Sequence, residues 1–173
     1  MRTDLLLNIT LLIFLLSGSI CQSEELLCLS DLGTLGGSKS LAYAINETGQ
    51  IVGWSHTLGG ESHAVLWENG ESAPKDLGIL GGNNSIAYAI NDAGQIVGGA
   101  DITGDLLYHA VRWQNGVMQD LGTLGGSDSE AFGINEAGQI VGVSSISISS
   151  DEFHAFSTSR CTRGLTWLML LLD

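Results

Sequence analysis

The sequence predicts an all-β fold, a propeller-like repeat of about three four-stranded antiparallel blades. Three observations carry that expectation. First, one phrase occurs three times: Asp31-Leu-Gly-Thr-Leu-Gly-Gly37, Asp76-Leu-Gly-Ile-Leu-Gly-Gly82 and Asp120-Leu-Gly-Thr-Leu-Gly-Gly126. The period of 44–46 residues marks a repeat architecture. Second, Leu41-Ala-Tyr-Ala-Ile45 and Ile86-Ala-Tyr-Ala-Ile90 alternate large and small residues, the period of a strand. Third, 24 glycines with a single proline, and no collagen period, fit many tight turns between short strands.

Taken in chain order, the first 21 residues read as a targeting segment. Arg2 precedes a largely apolar stretch from Leu5 to Ile20, whose core Leu11–Leu16 is followed by Ser17-Gly18-Ser19 and then by the polar Gln22-Ser-Glu-Glu25. That is the pattern of a secretory signal, with cleavage expected after Cys21 or near Ser23. The alternatives are an uncleaved N-terminal anchor or a lipid on Cys21. The expected organisation is thus a signal peptide or anchor over 1–21, a three-fold β-repeat domain over 22–156 and a divergent tail over 157–173. Localisation is expected to be secreted or at the cell surface.

Leu26–Leu32 resembles the last strand of a repeat. Leu41–Ile45 is the first strand of the next, with apolar residues on both faces, so both faces should be covered. Asn46-Glu-Thr-Gly49 predicts a short hairpin, with Asn bonding its own backbone and Gly accepting positive φ. Gln50–Ser55 is the returning strand, His63–Trp67 a third, and Lys75–Gly78 a short fourth. No ten-residue stretch shows a helical stripe.

The spacings separate a rigid part from a variable one. Each repeat Asp precedes its Asn (Asn46, Asn91, Asn135) by 15 residues, and each Asn precedes the last Gly of Gly-Gln-Ile-Val-Gly by 7. From that Gly to the following His (His63, His109, His154) the gap drifts through 10, 11 and 12. Drifting gaps mark surface loops, where function tends to reside. Four strands in about 45 residues is the size of a propeller blade, although propellers usually have about four to eight blades. An open blade arc, a β-trefoil and a β-prism are the alternatives.

These motifs resemble the HAF repeat of extracellular bacterial and archaeal proteins. His154-Ala155-Phe156 is the literal His-Ala-Phe, and His63-Ala-Val65 and His109-Ala-Val111 are variants. The resemblance covers roughly residues 29–156. It implies a secreted repeat protein, a β-propeller in particular, with no established enzyme activity and no catalytic residues.

The net charge is −13, which repels phosphate backbones and argues against nucleic acid as a partner. Membrane contact is expected only through the N-terminal segment. No cofactor is expected. Calcium at Asp31, Asp76 and Asp120 is weighed against a simpler role, capping the amides of the glycine-rich turns. The repeated histidines are read as imidazoles bonded to a nearby backbone carbonyl rather than as metal ligands, since a once-per-repeat residue normally serves the repeat. Asp101, Asp105, Asp151 and Glu152 lie in the variable loops and are the binding candidates. Trp54, Trp67 and Trp113 are read as packing residues, with sugar stacking as the alternative.

If the N-terminal strand completes the last repeat, Cys28 and Cys161 become neighbours, and export permits a disulfide. After Phe156 the repeat pattern fails, which raises a truncated or frameshifted longer protein as one reading. The expected function is a non-catalytic, exported module that binds a glycan, protein or surface. A polysaccharide lyase or hydrolase on a propeller scaffold is the runner-up. An open arc would leave edges that favour oligomers.

Overall fold

The computed structural model describes residues 28–69, 71, 73–103, 107–149 and 152–159. The signal or anchor segment, Asp105, Asp151, Cys161 and the tail beyond residue 159 lie outside them, as does the proposed cysteine pairing. Cys28 is exposed. The chain divides into two compact units, Met1–Asp31 and Leu32–Asp173. Of the first unit, residues 28–31 are described and form no strand, nor does Leu32, so the described part of Leu26–Leu32 is not the strand expected there.

The second unit is all-β. Its described residues form three antiparallel sheets of four, four and three strands. The first holds β1 (Gly36–Ile45), β2 (Ile51–Thr57), β3 (Ser62–Trp67) and β4 (Lys75–Asp76). The second holds β5 (Ser85–Ile90), β6 (Ile96–Asp101), β7 (Tyr108–Gln114) and β8 (Val117–Gly122). The third holds β9 (Ser129–Ile134), β10 (Ile140–Ser145) and β11 (Phe153–Ser157). Within each sheet the strands pair in chain order. Among the described residues no strand ladder joins two sheets, so no shared barrel of the trefoil kind forms.

The hairpins follow from their residues. Asn46 and Gly49 close the β1–β2 turn: Gly49 N–H donates to the Asn46 carbonyl at 3.0 Å, and Asn46 N–H to the Gln50 carbonyl at 3.0 Å. Gly49 sits at φ +81°, where a side chain would be strained. The same bonds recur at Asn91 and Asn135.

Each first strand carries a β-bulge at the same place. Ala42 pairs with Gly53 and Ala44 with Val52, so Tyr43 is the extra residue. Tyr88 is skipped likewise between Ala87 and Ala89, and Phe132 between Ala131 and Gly133. A bulge re-aims the side chain at its centre. It also brings the Leu41 carbonyl to within 1.9 Å of where a Cβ on Gly53 would stand, with the same clash at Gly98 and Gly142. This is why Gly-Gln-Ile-Val-Gly ends in glycine.

The sheets pack through their first strands: β5 lies against β1, β2 and β3, and β9 against β5, β6 and β7. The first junction buries Val52, Ala64 and Leu66 against Ala87, Ile96, Val111 and Trp113. The second buries Val97 and Ala110 against Ala131 and Ile140. Alanine on the inner strand lets the backbones approach closely, and area removed from water on both sides supplies the driving force.

Candidate functional site

The repeated polar residues hold the repeat together. Asp76 accepts from Gly78 N–H at 2.8 Å through Oδ1 and faces His63 Nδ1 at 2.8 Å through Oδ2. Asp120 does the same with Gly122 at 2.7 Å and His109 at 3.0 Å. Opposite a carboxylate, each Nδ1 must carry the imidazole proton. The histidine partner is thus a side chain on the next strand, not a backbone carbonyl. His154 is exposed, with no carboxylate partner among the described residues. No group of three or more His, Cys, Asp or Glu side chains suited to a metal occurs among the described residues.

The Asn residues link hairpin to hairpin. Asn46 Nδ2 donates to the Asn91 carbonyl at 3.1 Å, and Asn91 Nδ2 to the Asn135 carbonyl at 3.0 Å. One position further on, Glu47 N–H donates to Asp92 Oδ1 at 2.9 Å, and Asp92 N–H to the Glu136 carboxylate at 3.2 Å.

A serine that the motif reading passed over does as much. Ser40, Ser85 and Ser129 each stand 9 residues after the repeat Asp. Ser85 Oγ accepts from Ala64 N–H at 2.9 Å and donates to the Gly78 carbonyl at 2.7 Å. Ser129 repeats both bonds with Ala110 at 2.9 Å and Gly122 at 2.6 Å. Beside them, Asn84 Oδ1 accepts from Ser62 N–H and Asp128 Oδ1 from Tyr108 N–H, each at 3.0 Å. Two side chains therefore clamp β3 and β7 each to the next sheet. The constant offset was the signal that would have found this serine.

The loop acids divide. Asp101 ends β6 and accepts from Asn84 Nδ2 at 2.7 Å, so it is tied into the fold. Glu152 is exposed, and its carbonyl accepts from Ile146 N–H at 3.2 Å. Glu61, in the first variable loop, is held below the ordinary value of 4.5 chiefly by the Thr57 hydroxyl, then by a backbone amide, with His63 adding a smaller charge effect.

The largest concentration of unused binding chemistry is aromatic. The three bulge residues lie side by side across the sheets. Tyr43 and Tyr88 ring centroids are 5.3 Å apart, and Tyr88 and Phe132 are 5.7 Å apart. Trp54 extends the row: its Nε1–H donates to Tyr43 Oη at 3.3 Å, and its ring lies 5.0 Å from His56. Tyr43 and Phe132 are each 47% exposed, beside exposed Leu41 and Ile45. In the middle of the row, burial first and Glu130 second push the Tyr88 hydroxyl well above its ordinary range. Burial does the same to Tyr108, with Tyr88, Glu130 and Asp101 adding to it.

Two clefts at equivalent repeat positions open between neighbouring sheets. One of about 560 Å³ is lined by Leu66, Leu77, Ile96, Trp113 and Lys75. The other, about 680 Å³, is lined by Arg112, Gln119, Leu121, Ile140 and Thr158. In the first, Trp113 Nε1–H donates to the Leu77 carbonyl at 2.9 Å. Comparison with protein-family models, curated proteins and solved structures finds no match.

Proposed function

We propose that this chain is an exported, non-catalytic binding module of the HAF-repeat kind, its sheets serving as successive blades of a propeller-type array. One observation carries the binding role. A bulge recurs in all three first strands, and each time its extra residue is aromatic. The bulge gives up a ladder position, and it leaves the Tyr43 and Phe132 rings exposed on either side of a partly buried Tyr88. Packing alone does not require that, and bulges commonly re-aim a side chain beside a functional site. The resulting row suits the apolar faces of a glycan, with tyrosine hydroxyls at its edge to bond sugar hydroxyls. Contiguous exposed apolar surface is otherwise a liability.

The lyase or hydrolase reading fits less well. Such chemistry needs a base near neutrality. Tyr88 and Tyr108, beside Glu130, are shifted toward the neutral hydroxyl and do not supply it. Export is supported by the apolar segment before Cys21 and its polar sequel.

The test is a glycan array followed by calorimetry, in calcium and in chelator, on the wild type and on Tyr43→Ala and Phe132→Ala. The expected result is calcium-independent binding that weakens about fivefold or more in each variant, since one stacked ring contributes about 1 kcal/mol or more. Binding that both variants leave intact would remove the aromatic row from the reading.

A further inference from the structure

The two ends of the array differ from its middle in a complementary way. Val52, Val97 and Val141 occupy one repeat position, as do Ala64, Ala110 and Ala155. Val52, Val97, Ala64 and Ala110 are fully buried against the next sheet, whereas Val141 is 52% exposed and Ala155 is exposed as well. At the other end, Ala42 is exposed on β1, while its counterparts Ala87 and Ala131 are fully buried against the preceding sheet. The third sheet thus presents a face shaped for a first strand, and β1 is a first strand with no sheet before it among the described residues.

The geometry points to a second copy of this chain as the occupant. The third sheet of one copy receives β1 of the other, twice over, closing a ring of six sheets. The ring rests on the propeller-type reading above, and six falls inside the usual range of about four to eight blades. The contacts are those already made twice within the chain. Ser40 supplies the Oγ for Ala155 N–H, as Ser85 does for Ala64 and Ser129 for Ala110. Asn135 Nδ2 meets the Asn46 carbonyl, continuing the series from Asn46 to Asn91 to Asn135. Phe132 meets Tyr43, so the aromatic row runs on around the ring.

Charge fits this pairing. At the internal junctions Asn84 and Asp128 accept from the amides of Ser62 and Tyr108. The equivalent position on β1 is Lys39, which cannot accept. The amide it would meet is that of Phe153, and the residue before Phe153 is Glu152. Lys39 and Glu152 are both exposed, and the ring sets one against the other at each junction. In a chain with a net charge of −13, this lysine stands where two copies must meet.

The test is the mass in solution of the purified full-length protein, by light scattering. Twice the mass of one chain is expected. Lys39→Glu alone and Glu152→Lys alone place like charges at both junctions, and each is expected to weaken the dimer at least tenfold. Mixing the two variants restores an opposite pair at both junctions, and the dimer should return. Val141→Asp should give a monomer with an unchanged far-ultraviolet circular dichroism spectrum. A wild-type monomer would overturn the inference. So would filaments that grow with concentration, because a head-to-tail contact that fails to close propagates. Failure of the mixed variants to associate would also overturn it, since the pairing would then not be head-to-tail. A wild-type monomer that still binds glycan would remove the ring alone and leave the binding reading standing.

Discussion

The side-chain amide of Asn46 donates to the main-chain carbonyl of Asn91 at 3.1 Å, and Asn91 makes the same bond one sheet further on. The middle residue carries the most. Asn91 is 2% exposed. It also donates to Gln95 Oε1 at 2.8 Å and accepts from Gln95 N–H at 2.9 Å. Asn91→Ala leaves buried polar groups without partners and should cost about 2–3 kcal/mol. Asn135→Ala, at an exposed site, should cost about 1 kcal/mol or less. Urea unfolding of the two variants on low-concentration samples checks the order.

Ser85→Ala should cost about 2–3 kcal/mol, because it strands the buried Ala64 amide and the partly buried Gly78 carbonyl. Ser40 donates to the Gly33 carbonyl at 3.0 Å and lies at a partly exposed site. Ser40→Ala should therefore cost less, about 1 kcal/mol. Denaturant midpoints measured side by side on low-concentration samples read the difference.

Gly98→Ala should abolish folding. Its Cβ would lie 1.9 Å from the Ile86 carbonyl oxygen, and backbone on both sides leaves neither strand free to yield. Gly60→Ala, at φ +99° with open space around it, meets only backbone strain, about 1–2 kcal/mol. Soluble yield and circular dichroism distinguish the two.

Glu61 makes the first variable loop acid-sensitive. Its folded pKa lies below the unfolded value of 4.5. The stabilisation is therefore complete above that value and is lost as pH falls through the folded pKa. Carbon-detected titration of Glu61 should show the low value. Thr57→Val, which removes the largest cause, should move it back up.

Tyr88 and Tyr108 make the fold alkali-sensitive. Both folded values lie above the ordinary 10. The stability they contribute is present below that value and declines as pH rises toward the folded values. An absorbance titration should show two of the three tyrosines ionising late, together with unfolding.

The strands were legible because alternation and turn residues are local signals. Leu41–Ile45 and His63–Trp67 fall on β1 and β3, and of Gln50–Ser55 all but Gln50 falls on β2. The start of β1 at Gly36 was not legible. Gly36 pairs with Thr57 across an irregular register, which only the partner strand defines. The His–Asp contact was hidden by the drifting gap between the two residues, and by the fact that they meet on different strands. The aromatic row was hidden by the bulge: Leu-Ala-Tyr-Ala-Ile reads as unbroken alternation, yet Tyr43 is unpaired. Which face of an inner strand stays open depends on how the sheets meet, and periodicity within one strand carries no such information.

The clamp formed by Ser85 and Asn84 has a polarity: each sheet offers amides forward and hydroxyl and carbonyl acceptors backward. A repeat inserted between any two others would find its donors and acceptors already waiting on both sides. Tandem duplication or loss of one 44- or 45-residue unit would then alter the number of sheets without requiring a single new contact to be invented. Copy number, rather than point substitution, becomes the cheapest way for such a gene to vary.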